Sequence, residues 1–579
     1  MREILGGLLM LSRTKRASSI VIAALLAVSL VGCGNSDNAS NGSAAAKSSD
    51  PAWGEAMTTP FGKYPETVSY TVGQMATNYS TLSGTPYEKD NATNNVWTRY
   101  FKEKLNVQNT TKFEANDGTD YSQKVSMAIV SGDIPDIMVV PDYSTLQQLY
   151  DNDLIADLTD AYEKTASDRI KEIYDSYGGR VLDSAKFDGK LMAIPTTEIS
   201  HGPGILWLRK DWMDKLGLQE PKSLEDVENI IAQFIEKDPG GNGSGKTVGL
   251  VVDNENVAGI SGGQYSLNNI FALYGAYPKQ WMDDGNGNAV YGSIQPEMKP
   301  ALTKIAEMYK KGLIDRQFAV RTGDDRKALL TSGKSGAFLD NWWGSWTVAD
   351  TLKLNPDAEW VSYVAPQSED GSLTMFTGNP SSSYLVVRKG FEHPEMAMKM
   401  VSLQYDYQRY QEKDADTLKA FEDYSNLNVS GSPIIVNIDY YDAFYRNVDI
   451  MKEALESGDT SKLISNNDIT AYNSYKKFMD SKKSGEKPDP VSWAGYTSSI
   501  TTASMVKNAN IKEVNPVFFG TTPSMSLKWP TLSKMELEMY LKIITGDQSP
   551  ESFDKFVDSW KKTGGDTITK EVNEAIASN

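Results

Sequence analysis

Between residues 68 and 140 the hydrophobic period switches repeatedly between two and 3.6, and this stretch constrains the fold more than any other. "TVSYTVGQ" alternates Val68, Tyr70 and Val72, the period of a strand. "NNVWTRYFKEKLNV" then places Val96, Tyr100, Phe101 and Leu105 on one helical face. "TKFEA" returns to strand character. "DYSQKVSMAIVSG" reads as a helix with Asp120 as N-cap and Gly132 as its stop, and "DIMVVP" is a wholly apolar strand. Strands separated by helices pair in parallel, with helices covering the sheet, so the class is α/β. "GILWLRKDWMDKLG" repeats the strand–helix unit and stops at Gly217. A chain of 579 residues exceeds one hydrophobic core, so two or more lobes are expected.

The N-terminal segment "RTKRASSIVIAALLAVSLVGC" has the order of an export signal. Arg13, Lys15 and Arg16 precede an apolar core from about Ile20 to Val31 and a small-residue site. That core is too short for a spanning helix. Leu30-Val31-Gly32-Cys33 resembles a bacterial lipobox, which implies diacylation of Cys33. Cys33 is the only cysteine, so no intramolecular disulfide or cysteine-based metal site is available. "GNSDNASNGSAAAKSSD" reads as a flexible tether. A net charge of −18 argues against sequence-independent nucleic-acid binding.

Three motifs match known chemistry in the wrong context. "DPGGNGSGKTVGL" contains the phosphate-loop pattern Gly240, Gly245, Lys246 and Thr247. That pattern works when a strand leads in and a helix leads out. Here the amphipathic "SLEDVENIIAQFIEKD", with Ser223 and Asp226 as a capping box, leads in, and the strand-like "TVGLVVD" leads out. Asp238, Asn242 and Gly243 also fit positions 1, 5 and 6 of an EF-hand loop, but Gly240, Lys246 and Gly249 occupy ligand positions without a carboxylate. The expectation is a Gly-rich turn with no cofactor, with Asp238 and Asn242 the first candidates should calcium bind. "GISGG", residues 259 to 263, matches a nucleophile elbow but lacks the immediate strand, and His201 and His393 are the only histidines. Two histidines exclude a three-histidine zinc site. A glycosidase needs two carboxylates across a bond, which 76 acids cannot single out.

"YSQKVSMAIVSGDIPDIMVV", "GKLMAIPTTEISHGPGILWLRKDWMDKLGL", "IQPEMKPALTKIAEMYKKGLID", "GAFLDNWWGSW", "VSYVAPQSEDG" and "LKIITGDQSPESFDKFVDSWKKTGGDTITKEVN" occur in this order. Together they resemble the extracellular solute-binding proteins of carbohydrate ABC importers, in the LipO-like lipoprotein group of the maltose-binding-protein-like superfamily. The resemblance spans most of residues 65 to 575 and implies a two-lobed periplasmic-binding-protein-like fold with an interlobe ligand cleft and multiple crossovers. It implies a signal peptide over 1–33 and a tether over 34–60. The first lobe would comprise 61–198 and about 366–400. The second would comprise 199–365 and about 401–579, with crossovers near Thr196–Gly204 and Val364–Phe376. It further implies capture without turnover of an oligosaccharide, delivery to permease subunits, no enzymatic activity, and lipid anchoring on the outer face of the cytoplasmic membrane of a Gram-positive bacterium. In this family the loop around Asp238 is sometimes a calcium site with more acids. The rival readings are an extracellular glycan-active enzyme and a lipoprotein that binds oligopeptides or proteins.

Sugar recognition needs flat aromatic faces and planar polar groups in a concave site. "DNWWGSW" offers Asp340, Asn341, Trp343 and Trp346 after the apolar "AFL", a strand end expected to face a cleft. Asp142 and Tyr143 follow the apolar strand, at the sheet edge where α/β folds bind ligands. Glu198 and His201 lie on the implied crossover. "NPVFFGTTPSMSLKWPTL" resembles the segment carrying a further stacking aromatic and nominates Phe519, Thr522 and Trp529. Asn78 and Tyr79 follow the first strand.

Overall fold

The computed structural model describes residues 51–198, 203–259 and 263–578. Cys33, His201 and the serine of "GISGG" therefore lie outside the described residues.

The expected parallel strands form. Val68–Met75 lies between Val107–Ala115 and Ile137–Val140 and pairs in parallel with both. Tyr384–Val387 and Ile194–Pro195 extend this sheet to five strands in antiparallel fashion. The helix over Val96–Leu105 buries Val96, Tyr100, Phe101 and Leu105, and its Asn95 cap accepts from the backbone of Trp97 and Thr98. The next helix, Gly118–Ser131, starts earlier than its sequence suggests. Asp117, not Asp120, is the N-cap, and Asp120 lies inside the first turn, accepting from the Asn116 N–H. Either acid suits a helix start electrostatically; the extended backbone at Asp117 decides. Gly132 ends the helix in the left-handed conformation.

A second sheet orders Ala337–Asp340, Ile205–Arg209 and Trp360–Tyr363, all antiparallel. The helix Leu224–Lys237 buries Val227, Ile230, Ile231 and Phe234 behind it, with the expected Ser223–Asp226 capping box. "TVGLVVD" joins through isolated parallel bridges at Val248, Leu250 and Val251 rather than as a regular strand.

The apolar interior divides accordingly. One core gathers Val72, Phe101, Ile173, Leu385 and Met400, and another gathers Leu206, Phe234, Phe271, Met308 and Tyr540. Two segments depart from the expected boundaries. Residues 403–440, expected in the second lobe, place Leu403, Phe421, Tyr424 and Ile438 in the first core. Residues 51–58, expected in the tether, form a helix whose Trp53 stacks on His393 at 5.2 Å. Both segments follow their large apolar side chains into the core; a polar tether has none to bury.

The chain links the two cores through several segments. Besides the stretches after Glu198 and before Tyr384, residues 436–442 run beside the first crossover. There Thr197 N–H donates to Asn437 O at 2.8 Å, and Asp439 N–H donates to Thr197 Oγ1 at 2.8 Å. A parallel ribbon of Leu373–Phe376 and Ile511–Val514 adds a further link. Arg180 Nη1 donates to Asn515 Oδ1 at its end, at 2.8 Å.

Candidate functional site

A cavity of 860 Å³ lies over the start of the long helix Pro523–Thr545. Its wall combines Trp281 and Tyr291 with Phe518, Phe519 and Trp529, and adds Lys279, Gln280, Glu255 and, from the return crossover, Asn379. Local folding explains the aromatic floor. Trp281 and Tyr291 face each other across the hairpin of Trp281–Asp283 and Ala289–Tyr291, whose turn is the Gly- and Asn-rich "DGNGN". Tyr291 stacks on Trp560 at 5.1 Å, so the floor is braced from below. Trp529 meets Tyr291 edge-on at 5.2 Å and stays half-buried.

Beneath this floor sits Glu536, fully buried and lining the same cavity. Its carboxyl accepts from Tyr291 Oη at 2.8 Å, Ser293 Oγ at 2.9 Å and Tyr540 Oη at 2.9 Å. Burial nevertheless raises its pKa above the usual carboxylate range. A group so engaged is a brace rather than a free base.

A smaller cavity of 270 Å³ opens at the C-terminal edge of the first sheet, among Gly73, Gln74, Tyr121, Pro141, Ser383 and Ile435. This is the edge at which open α/β sheets offer ligand sites.

The nominated residues divide into three groups. Phe519 and Trp529 line the large cavity. Tyr143 borders it: its ring stacks on Phe187 at 5.7 Å, and a Cβ built on cavity residue Gly520 would lie 3.5 Å from that ring. Glu198 is next to the return crossover, donating its N–H to Pro380 O at 3.1 Å and accepting from Ser382 Oγ.

Other nominees have local backbone roles. Asp142 caps the helix Tyr143–Asp151, accepting from the N–H and Oγ1 of Thr145. Asn78 caps the short helix that starts at Tyr79, and Tyr79 Oη accepts from Asn95 Nδ2 at 3.2 Å. Thr522 is buried and caps the long helix through Met525 N–H.

The tryptophan loop forms a third group outside the wall of the large cavity. Asp340 is fully buried instead of facing a cleft. It accepts from Asn341 N–H at 2.8 Å, Thr347 Oγ1 at 2.7 Å and Gln264 Nε2 at 3.1 Å. Burial outweighs these donors and pushes its pKa up to about 6. Asn341 is buried, with no partner for Oδ1 among the described residues. Trp343 meets Trp342 edge-on at 5.6 Å, and Trp346 is 45% exposed beside Gly495.

The sequence reading missed Lys279, Trp281, Tyr291 and Phe518. The alternation of Ala289 and Tyr291 around "DGNGN" signals a hairpin, but cross-strand register was needed to bring Trp281 and Tyr291 together.

The loop after the helix Leu224–Lys237 closes on itself. Asp238 takes the N–H groups of Asn242 and Gly243 and the hydroxyl of Thr247 at 2.6 Å, and these bonds lower its pKa, Thr247 most. A helix enters the loop, the reverse of a phosphate-binding loop.

The family model for bacterial extracellular solute-binding proteins matches residues 97–403. Among related proteins, Lipoprotein LipO of Bacillus subtilis (strain 168) is 21% identical over 470 residues, 79% of this chain and 85% of that protein. The polygalacturonan/rhamnogalacturonan-binding protein YtcQ of the same organism is 22% identical over 464 residues, 78% of this chain and 82% of that protein. The solved structure of the S. pneumoniae ABC-transporter substrate binding protein FusA in complex with kestose superposes with a TM-score of 0.56 at 16% identity. The match covers 88% of this chain and 99% of that one, which shows a shared two-lobed α/β fold. With more than half its length matched by the family model, the chain belongs to the bacterial extracellular solute-binding proteins.

Proposed function

We propose that the protein is the saccharide-capturing component of a carbohydrate ABC importer, and that the 860 Å³ aromatic cavity takes part in holding the ligand. The carrying observation is the cavity's composition. Half-buried indole and phenyl faces from Trp529, Phe518 and Phe519 line the cavity beside polar groups, at a volume that suits an oligosaccharide segment. Asn379 in the wall ties the site to a crossover, so ligand contact there can bias lobe closure, provided the closed state binds more tightly. FusA and YtcQ, whose names specify saccharides, support the reading. Tyr143, Glu198, Trp343, Trp346, Asn78, Tyr79, Asp142, Asp340, Asn341, His201 and Thr522 remain proposed contributors. Of these, Asp340, Asn78, Asp142 and Thr522 act through the backbone they hold. The lobes we propose are 51–198 with 384–440, and 203–365 with 443–578, joined by the hinge segments described above.

We also propose that turnover is absent and that no metal is required, since Asp238 is satisfied by its own loop. Cys33 carries the lipid anchor in this reading, holding the protein on the outer face of the membrane of a Gram-positive cell for delivery to the permease. Two acyl chains suffice for stable attachment. Cys33→Ala should release the protein or leave it unprocessed; a mature-size, membrane-bound variant contradicts the anchor. The binding function is tested by a glycan-panel melt, because a ligand at 100 times its Kd stabilises by about 2.7 kcal/mol. At least one oligosaccharide should raise the melting temperature and be recovered uncleaved.

A further inference from the structure

Lys279 is a cation in the wall of the large cavity whose chemistry remains unused. It is half-buried, and its ammonium makes no ion pair or hydrogen bond among the described residues. Its backbone adopts the left-handed conformation at φ 62°, costly for a residue with a long side chain, and is pinned there by Lys279 N–H donating to Ser293 Oγ at 2.6 Å. Strain held at a cavity wall is a reason to look for a function of the side chain it presents.

The charges around Lys279 do not cancel it. Glu536 feels the ammonium but forms no ion pair with it, and its oxygens already take three hydroxyl donors; burial raises its pKa. Glu255 and Lys534 also line the cavity, but both are exposed, of opposite sign, and screened by water and salt. What remains inside the aromatic wall is one partly desolvated cation. A neutral saccharide would leave it without a counter-charge, an anionic one would supply it, and attraction is stronger there than at an open surface.

We propose that this cavity selects a saccharide bearing an anionic group, a uronate carboxylate or a sulfate ester, which pairs with Lys279 while a sugar ring lies against the aromatic wall. The inference rests on the saccharide-binding reading and names the ligand class for that site.

The test uses the full chain and three probes by calorimetry: an oligogalacturonate, its fully methyl-esterified counterpart, and a sulfated oligosaccharide of similar length. Esterification removes the charge and keeps the shape. The oligogalacturonate or the sulfated probe should bind at least about tenfold tighter than the ester, and whichever does identifies the anion. Lys279→Asn suits the left-handed backbone and should bring acid and ester to within about threefold of each other, while Lys279→Arg should keep the discrimination. If the ester binds as well as the charged probes, or if Lys279→Asn weakens charged and neutral probes equally, the anionic-ligand inference is wrong while saccharide binding stands. If the wild type binds none of these three nor any neutral oligosaccharide, the saccharide-binding reading falls, and this inference with it.

Discussion

Asp340 should make the protein less stable as pH rises from 4 to 7.5, the opposite of what a well-paired carboxylate does. Its side chain is fully buried, and three donors fail to offset the loss of water, so its pKa moves from 3.8 up to about 6. The neutral acid is therefore the form the fold prefers. Its contribution to stability is complete below the unfolded-state value, near pH 4, and is lost as pH rises through about 6. A shift of roughly two units corresponds to about 3 kcal/mol between the ends of that window. Asp340→Asn keeps an acceptor for Asn341 N–H but cannot ionise. Other carboxylates titrate over the same range, so the informative quantity is the difference between variant and wild type. Thermal melts at half-unit steps from pH 4 to 7.5 should show the variant gaining on the wild type by about 3 kcal/mol, on the order of 5 °C for a large domain. A difference that stays constant with pH, or that turns against the variant as pH rises, would show that the three hydrogen bonds outweigh burial and refute the reasoning.

Trp529→Ala should weaken saccharide binding by about 2–4 kcal/mol, or roughly 30- to 1,000-fold, read by calorimetry. Trp346→Ala, at 45% exposure, should leave the unliganded melt nearly unchanged; an early melt would make it a core residue, and unchanged affinity would remove it from the site. Gly344→Ala should destabilise by about 1–3 kcal/mol, because the new Cβ would lie 2.3 Å from Nε1 of the fully buried Trp207, and denaturation of the unliganded protein measures it. Calcium and chelator should each leave the melting temperature unchanged, since Asp238 already holds Asn242, Gly243 and Thr247; a chelator-induced drop reversed by calcium would show that the loop holds an ion.

Local periodicity and capping made parts of both lobes legible. The alternation in Val68–Met75, the face of Val96–Leu105 and the Ser223–Asp226 box are all properties of adjacent residues, and all three formed. What depends on distant partners was not readable. Residues 403–440 carry no regular strand signal, yet they complete the first core because Phe421 and Tyr424 find Trp97 and Tyr87. Asp142, Asn78 and Thr522 were nominated for their polar groups, and the same groups serve as helix caps. Ligand contact and capping call on the same residue types, so composition alone does not separate them. Asp340 shows the same limit for burial: the sequence displays a carboxylate after a strand, and only the packing around it reveals that it faces inward. Trp281 and Tyr291 became neighbours through hairpin register, and Lys279 stands out only once its partners can be counted.

The most direct measurement of the central claim is the intrinsic tryptophan fluorescence of the purified full chain, titrated with the oligosaccharide that most raises its melting temperature. Trp281 and Trp529 line the cavity, so the account predicts a saturable change that Trp529→Ala reduces or abolishes, with the sugar recovered intact. Failure of every saccharide to bind, with an oligopeptide binding in its place, or recovery of the sugar as cleaved product, would contradict it.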